Sequence, residues 1–230
     1  MTSGLFFGML NFFNMDIKYC GHSSFLIKGK SASIITDPFD PKMVGLKFPS
    51  VSADIVTISH QHEDHNQSQL VTGFLLVISY AGEYEKQGVR ITGISVFHDN
   101  KQGAERGKNI LYKIEIDDIS ILHCGDLGHQ LSDEVVEELG SIDILMVPVG
   151  GVYTITAKDA CEVVQDIEPS IVIPMHYNDP RLNQKIFGDM SAVTDFINAM
   201  GVTPAPPEKK LSAKRESLTE EMKVVVLDIV

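Results

Sequence analysis

The stretch that decides the fold is Asp54-Ile55-Val56-Thr57-Ile58-Ser59-His60-Gln61-His62-Glu63-Asp64-His65-Asn66. Asp54–Ser59 is an apolar, β-branched run of strand length and reads as a buried strand that leads straight into three histidines. In an extended backbone continuing past Ser59, side chains alternate with period two, so His60 and His62 face the same side. Asp64 keeps the alternation, and a turn into helix at that point brings His65 inward as well. Four nitrogen and oxygen donors at one strand end can serve two cations, with His60 and His62 on one and Asp64 and His65 on the other. The competing reading is a polar strand-to-helix turn with chance histidines, which the HxHxDH order disfavours.

Short strands dominate the sequence on either side of this segment. Ile17–Tyr19, Ser24–Ile27 and Ser33–Thr36 read as an antiparallel meander broken at Cys20-Gly21 and at Lys28-Gly29-Lys30, followed by a proline-bearing loop from Asp37 to Ala53. Phe74–Ser79, Val89–Phe97, Ile110–Ile116, Ser120–His123 and Ile142–Val147 are further strands. Helices are expected at Ser132–Leu139, at Thr156–Ile167 with Thr156 and Asp159 as a capping pair, and at Ser191–Met200. Ser170–Ile173 and Met222–Asp228 close the strand set, and the basic run Lys209-Lys210…Lys214-Arg215 reads as a solvated face or loop. Two sheets packed face to face with helices outside follow from this order.

The 230 residues are 43% hydrophobic and 22% charged, which fits one globular domain over 15–230. Residues 1–14, MTSGLFFGMLNFFN, read as an upstream start or a short packed extension, since they lack a basic n-region and a small-residue cleavage site. A net charge of -12 argues against a surface built for nucleic-acid phosphates. Three cysteines without CxxC spacing exclude a disulfide framework and a thiolate zinc cage, so a cytoplasmic location is expected. Cys124 and Cys161 read as small core residues, because neither has an activating base.

Two cations need more ligands than the HxHxDH segment supplies. His98, Asp126 and His176 each follow a strand in a polar loop, the usual place for sites on sheet scaffolds. Asp126, with Gly125 and Gly128 allowing close backbone approach, suits a bridging carboxylate. His123 alternates with Ile121 inside a strand and reads as a buried, hydrogen-bonded histidine.

Together with Gly21-His22-Ser23-Ser24-Phe25, Thr36-Asp37-Pro38-Phe39, His123-Cys124-Gly125-Asp126-Leu127-Gly128-His129, Pro148-Val149-Gly150-Gly151 and Ile173-Pro174-Met175-His176-Tyr177, these motifs resemble the metallo-β-lactamase-fold metal-dependent hydrolases. The likeness is to the branch of ascorbate-phosphate lactonases and related hydrolases, and covers the chain from Met15 onward. The resemblance implies an α/β (α+β) fold, a four-layer αββα sandwich with the site along one edge. It also implies one metal held by His60, His62 and His98, a second by Asp64, His65 and His176, and Asp126 between them. Zn2+ suits such imidazole-rich sites, while Mn2+, Fe2+ or Ni2+ would use the same ligands.

The chemistry expected is hydrolysis by a hydroxide shared between the two ions, with Asp64 or Asp126 orienting it and accepting its proton. A carbonyl or phosphoryl centre of a small substrate is the target, a lactone or phosphorylated metabolite being favoured. His22, Asp37, His129, Tyr153 and Tyr177 are expected near the ligands or the substrate, with Asp37 an acceptor for a ligand N–H. A phosphodiesterase or nuclease is the alternative within the fold; the acidic charge counts against polymeric RNA. An oxygen-reducing diiron centre is weaker, because His62 stands where those proteins carry an acid, and a non-catalytic metal-binding protein is the remaining reading. The expected partner is a small molecule, without nucleic acid or membrane; a homo-oligomer stays open.

Overall fold

The computed structural model describes residues 14–230. The expected extension at 1–14 therefore lies, but for its last residue, outside the described residues. The chain runs through β1 (Met15–Gly21), β2 (Ser24–Lys28), β3 (Ser33–Thr36), α1 (Pro41–Val44), β4 (Val51–Ser52), β5 (Ile55–Thr57), β6 (Val71–Thr72), β7 (Leu76–Ile78), β8 (Gly82–Lys86), β9 (Val89–Phe97) and β10 (Lys108–Ile116). It continues with β11 (Ile119–His123), α2 (Asp133–Leu139), β12 (Ile144–Pro148), α3 (Ala157–Ile167), β13 (Ile171–Met175), α4 (Gln184–Phe187), α5 (Val193–Ala199), β14 (Leu211–Ala213) and β15 (Lys223–Val224).

One sheet has the order β14-β1-β2-β3-β5-β7, the other β15-β13-β12-β11-β10-β9-β8, and β4 pairs with β6 separately. In the first sheet the side-chain period of two sorts neighbours to opposite faces. Ile34 and Ile55 join the main apolar core with Ile114, Ile121 and Met146 of the second sheet. Ile35 and Val56, one residue further on, join a second cluster with Phe39, Val44, Phe48 and Phe187. Both faces of the first sheet are thus buried. Helices α3 and α5 pack on β12 and β13 of the second sheet. The layers are helix, sheet, sheet and a thin outer layer in which only the four-residue helices α1 and α4 stand for helical cover.

The sheets are stitched by polar contacts as well as by apolar packing. The buried Tyr112 hydroxyl on β10 donates to the carbonyls of Ile58 at 2.9 Å and Ile78 at 3.2 Å, the first just past β5 and the second at the end of β7 in the other sheet. Ile110 N–H donates to Ser59 O at 3.0 Å, and the His123 ring lies 2.8 Å from Ser23 O. His123 is fully buried, with Gly125 N–H donating to its other nitrogen.

The structure departs from the sequence reading at several elements. The loop from Asp37 to Ala53 contains α1, whose start is capped by Asp40, and β4. Pro174 sits inside β13, because the parallel pairing with β12 continues past it to Met175. The basic run is a solvated face rather than a free loop: Lys209, Lys210 and Arg215 are exposed while β14 pairs with β1, Lys210 meets Asp16 at 2.7 Å and Arg215 meets Asp143. The closing strand shrinks to Lys223–Val224, after which the chain crosses to bridge Tyr19 with Ile229. The capping pair at α3 is present as Thr156 and Asp159, each side chain accepting from the other's backbone N–H.

Tyr112→Phe removes both cross-sheet hydrogen bonds while keeping the ring, and is expected to cost about 1–2 kcal/mol of stability, read from urea denaturation midpoints. All three cysteines are free and buried. Burial pushes the Cys20 thiol up to about 12 and raises Cys124 and Cys161 as well. At pH 8 a disulfide reagent such as Ellman's is expected to leave Cys20 and Cys124 untouched in the native protein and to titrate three thiols in denaturant.

Candidate metal centre

Every side chain of the centre leaves a strand end or turn at one edge of the sandwich. His60, His62, Asp64 and His65 follow β5; His98 follows β9, Asp126 follows β11, His176 follows β13, and His22 sits in the turn between β1 and β2. The motif does not continue as strand, nor does it become a helix. β5 ends at Thr57, and Ser59–His65 is a run of bends closed by a His65 N–H to His62 O hydrogen bond of 3.0 Å. The two imidazoles still meet, with His60 and His62 ring centroids 4.6 Å apart. His60 is buried and His62 is exposed.

Asp37 holds this loop in place. Its carboxylate accepts from Ser59 N–H at 2.7 Å and from the Ser59 hydroxyl at 2.5 Å, and lies 2.9 Å from His65 Nδ1. The last contact leaves His65 Nε2 pointing into the centre and orients the ring, as outer carboxylates do for metal-binding imidazoles. Asp37, His22 and His176 have φ angles of 37°, 57° and 51°. Positive φ is unfavourable for such residues and clusters where surrounding structure over-determines the backbone.

Asp126 Oδ2 is the hub. It lies 3.2 Å from His176 Nε2, 3.3 Å from His65 Nε2, 3.4 Å from His98 Nε2 and 3.9 Å from His60 Nε2. Asp64 Oδ2 lies 3.0 Å from His22 Nε2. Burial opposes ionisation of both carboxylates, but His176 and His65 hold Asp126 well below the usual range and His65 does the same for Asp64. Burial also depresses His60, His98 and His22, the last to about 4 with help from His176. His65 goes the other way: burial would lower it, yet Asp126 and Asp64 raise it. At neutral pH the carboxylates are ionised, and His22, His60 and His98 are neutral with lone pairs to offer.

Three groups of donor atoms, each within 4.8 Å of one another, could hold a cation: His60/His62/His98, His22/Asp64/His65/His176 and His60/His65/Asp126. The first is the set expected for one metal; the second contains the set expected for the other and adds His22. Buried polar atoms without a hydrogen-bond partner include His60 Nε2, His65 Nε2, His98 Nδ1, Asp126 Oδ1 and both ring nitrogens of His176. Each buried polar atom left unpaired costs about 1–3 kcal/mol, so this concentration of orphans fits a group that takes up lone pairs. The donor set, imidazole with carboxylate, suits divalent transition metals.

Two expected site residues lie elsewhere. His129 accepts from Phe97 N–H at 3.1 Å and its Nδ1 lies 2.6 Å from Gln130 O, so both ring nitrogens are used in pinning the end of β9. Tyr177 is buried with its ring 6.2 Å from that of Tyr19, outside the cavity over the centre. Tyr153 does line that cavity of about 280 Å³, its hydroxyl donating to Ile186 O at 2.8 Å. Met43, Ile186, Phe187 and Arg106 complete its walls and were not evident from sequence. Only Arg106 left a trace there, as a lone cation between the loop glycines Gly103 and Gly107.

The glycines around Asp126 have the expected role. A Cβ on Gly128 would lie 2.2 Å from Asp99 N and 2.3 Å from the His98 carbonyl carbon, and one on Gly125 would lie 2.5 Å from Ser59 Cβ. Only bare backbone lets the Asp126 loop reach the loops of His60 and His98 together.

The fold and this cluster define a metal-dependent hydrolase of the metallo-β-lactamase fold. Residues 16–176 match the β-lactamase superfamily domain, and the chain belongs to that family. It is 30% identical over 213 residues to a UPF0173 metal-dependent hydrolase of Thermococcus onnurineus, covering 78% of this chain and 95% of the relative. Among solved structures, one from Thermotoga maritima assigned to the Zn-dependent hydrolases of the metallo-β-lactamase superfamily superposes with a TM-score of 0.73 at 38% identity, over 93% of this chain and 98% of the other. A metallo hydrolase of Ignicoccus hospitalis, 19% identical, shares the fold with a TM-score of 0.63 over 87% of this chain and 99% of that one.

Gly128→Ala is expected to destabilise the protein by about 1–3 kcal/mol through overpacking and to lower bound metal, measured by urea denaturation and elemental analysis on the same preparations.

Proposed function

We propose that this chain is a dinuclear hydrolase acting on the carbonyl or phosphoryl centre of a small substrate, with lactones and phosphorylated metabolites as the favoured classes. The observation that carries the reading is Asp126 Oδ2 within 3.2–3.9 Å of four imidazoles that belong to two different donor groups. His60, His62 and His98 would hold one ion, Asp64, His65 and His176 the other, with Asp126 shared and zinc favoured by the imidazole-rich set. Divalent ions bound there supply an acidified water as nucleophile and a Lewis acid for the scissile oxygen.

The chain's own residues do the remaining work. Asp64 or Asp126, both ionised and buried, orients the attacking water and accepts its proton. His22 fixes Asp64 through the 3.0 Å contact, and Asp37 fixes His65. Met43, Ile186 and Phe187 exclude bulk water from one side of the cavity. A small volume of about 280 Å³ suits a metabolite rather than a polymer. Among the described residues no helix is long and apolar enough to cross a membrane, and the three free thiols support a reducing, cytoplasmic setting.

Elemental analysis of the purified protein is expected to give two metal equivalents, together with turnover in a panel of lactones, phosphodiesters and thioesters. His62→Ala should strip one metal with the fold kept by circular dichroism, and Asp126→Ala should weaken the second metal more than the first. Metal content unchanged in His62→Ala contradicts the ligand set.

A further inference from the structure

Among the described residues, Arg106 is the only arginine or lysine lining the cavity over the metal centre. It also lines the two neighbouring clefts, one beside His60, His62 and Tyr80, the other beside Gly128, Thr154 and Thr156. Its side chain therefore borders all three.

Its position is fixed from the backbone outward. The Asp99 carboxylate, next in sequence to His98, accepts from the backbone N–H groups of Lys101 at 2.8 Å, Gly103 at 2.9 Å, Glu105 at 2.9 Å and Arg106 itself at 2.7 Å. His98 N–H closes the same loop onto Gly107 O at 3.0 Å. One wound loop thus delivers a donor of the metal centre at its start and a cation at its end, with the spacing between them locked.

The head group is little engaged. It lies 5.9 Å from the centroid of the Tyr153 ring, reaches Val152 O at 3.4 Å and approaches Glu105 no nearer than 3.8 Å, while Glu105 pairs with Lys101 at 2.6 Å. The side chain borders the cavity together with the apolar Ile186 and Phe187. A planar fork of N–H donors beside an aromatic ring is suited to bidentate recognition of a carboxylate or phosphate.

The geometry points to Arg106 as the specificity-determining residue of this site: it binds an anionic group, carboxylate or phosphate, on a small substrate whose scissile centre sits over His62, Asp64, His98 and Asp126. This rests on the hydrolase reading above and narrows it to substrates carrying a negative charge away from the bond that is cut. A charge-assisted bidentate pair in a partly enclosed site implies a preference of about 10–100-fold for the anionic member of a matched pair.

The test uses the metal-loaded protein with two matched sets. The binding set is 2-pyrrolidinone and pyroglutamate, lactams that resist hydrolysis, measured by calorimetric titration. The turnover set is γ-butyrolactone, its 4-carboxylate, and the phosphate ester of its 4-hydroxymethyl derivative, the last two separating carboxylate from phosphate. Wild type is expected to favour the anionic member by about 10–100-fold, Arg106→Ala to bring that ratio near one, and Arg106→Lys to restore part of it. A merely structural arginine would weaken neutral and anionic members alike and leave the ratio intact. An unchanged ratio in Arg106→Ala, or a wild type that favours the anionic member in neither set, overturns the assignment; preference for the phosphate ester alone assigns the site to phosphate. Selective, Arg106-dependent binding without turnover of any lactone upholds the anion site and counts against hydrolysis of lactones, so the two readings fail separately.

Discussion

The contact on which the rest of this structure depends is the crowding of four imidazoles around one carboxylate oxygen. Asp126 Oδ2 has nitrogens of His60, His65, His98 and His176 between 3.2 and 3.9 Å away, buried at the foot of the cavity. Burying ions is costly, and an isolated carboxylate at this depth would be forced to protonate. The imidazoles reverse that outcome. They come from three loops of two sheets, so the sheets must be docked in one register for the charges to balance. The cross-sheet bonds of Tyr112, Ile110 and His123 enforce that register from the core side.

A second tier of residues turns approximate proximity into fixed geometry. Asp37 ties Ser59 and His65 to the end of β3, Asp99 winds the loop between His98 and Arg106, and Gly125 and Gly128 let the Asp126 loop enter without collision. None of these residues needs to touch a substrate. Their polar atoms are spent inside the protein, which is why the atoms left without partners are concentrated at the centre.

Much of this was legible in the sequence because site residues follow strands, and strands announce themselves. Val89–Phe97 was readable to the residue, and the meander, α3 with its capping pair and the strand-end placement of His98, Asp126 and His176 followed from pattern alone. The likeness of the chain's motifs to those of one metal-binding family then implied the four-layer sandwich. What could not be read was anything set by long-range approach. His60 and His62 come together through bends rather than strand alternation. His129 and Tyr177 neighbour site residues in sequence but turn away from the cavity, because Phe97 N–H and the Tyr19 ring meet them first. Arg106, Met43 and Phe187 border the cavity only after the chain has closed around it.

The scattering of the donors over strand ends has a kinetic meaning. No hairpin, helix pair or contiguous segment contains a complete donor group except by bringing distant parts of the chain together: His22 and His176, 4.1 Å apart between ring centroids, come from opposite ends of the fold. Topologies built on such distant pairings fold slowly, since loop closure must precede the contacts that reward it. A complete donor group is therefore met only in chains that have finished folding. A cation held there would act on the folded state, slowing the reopening of the two sheets more than speeding their approach.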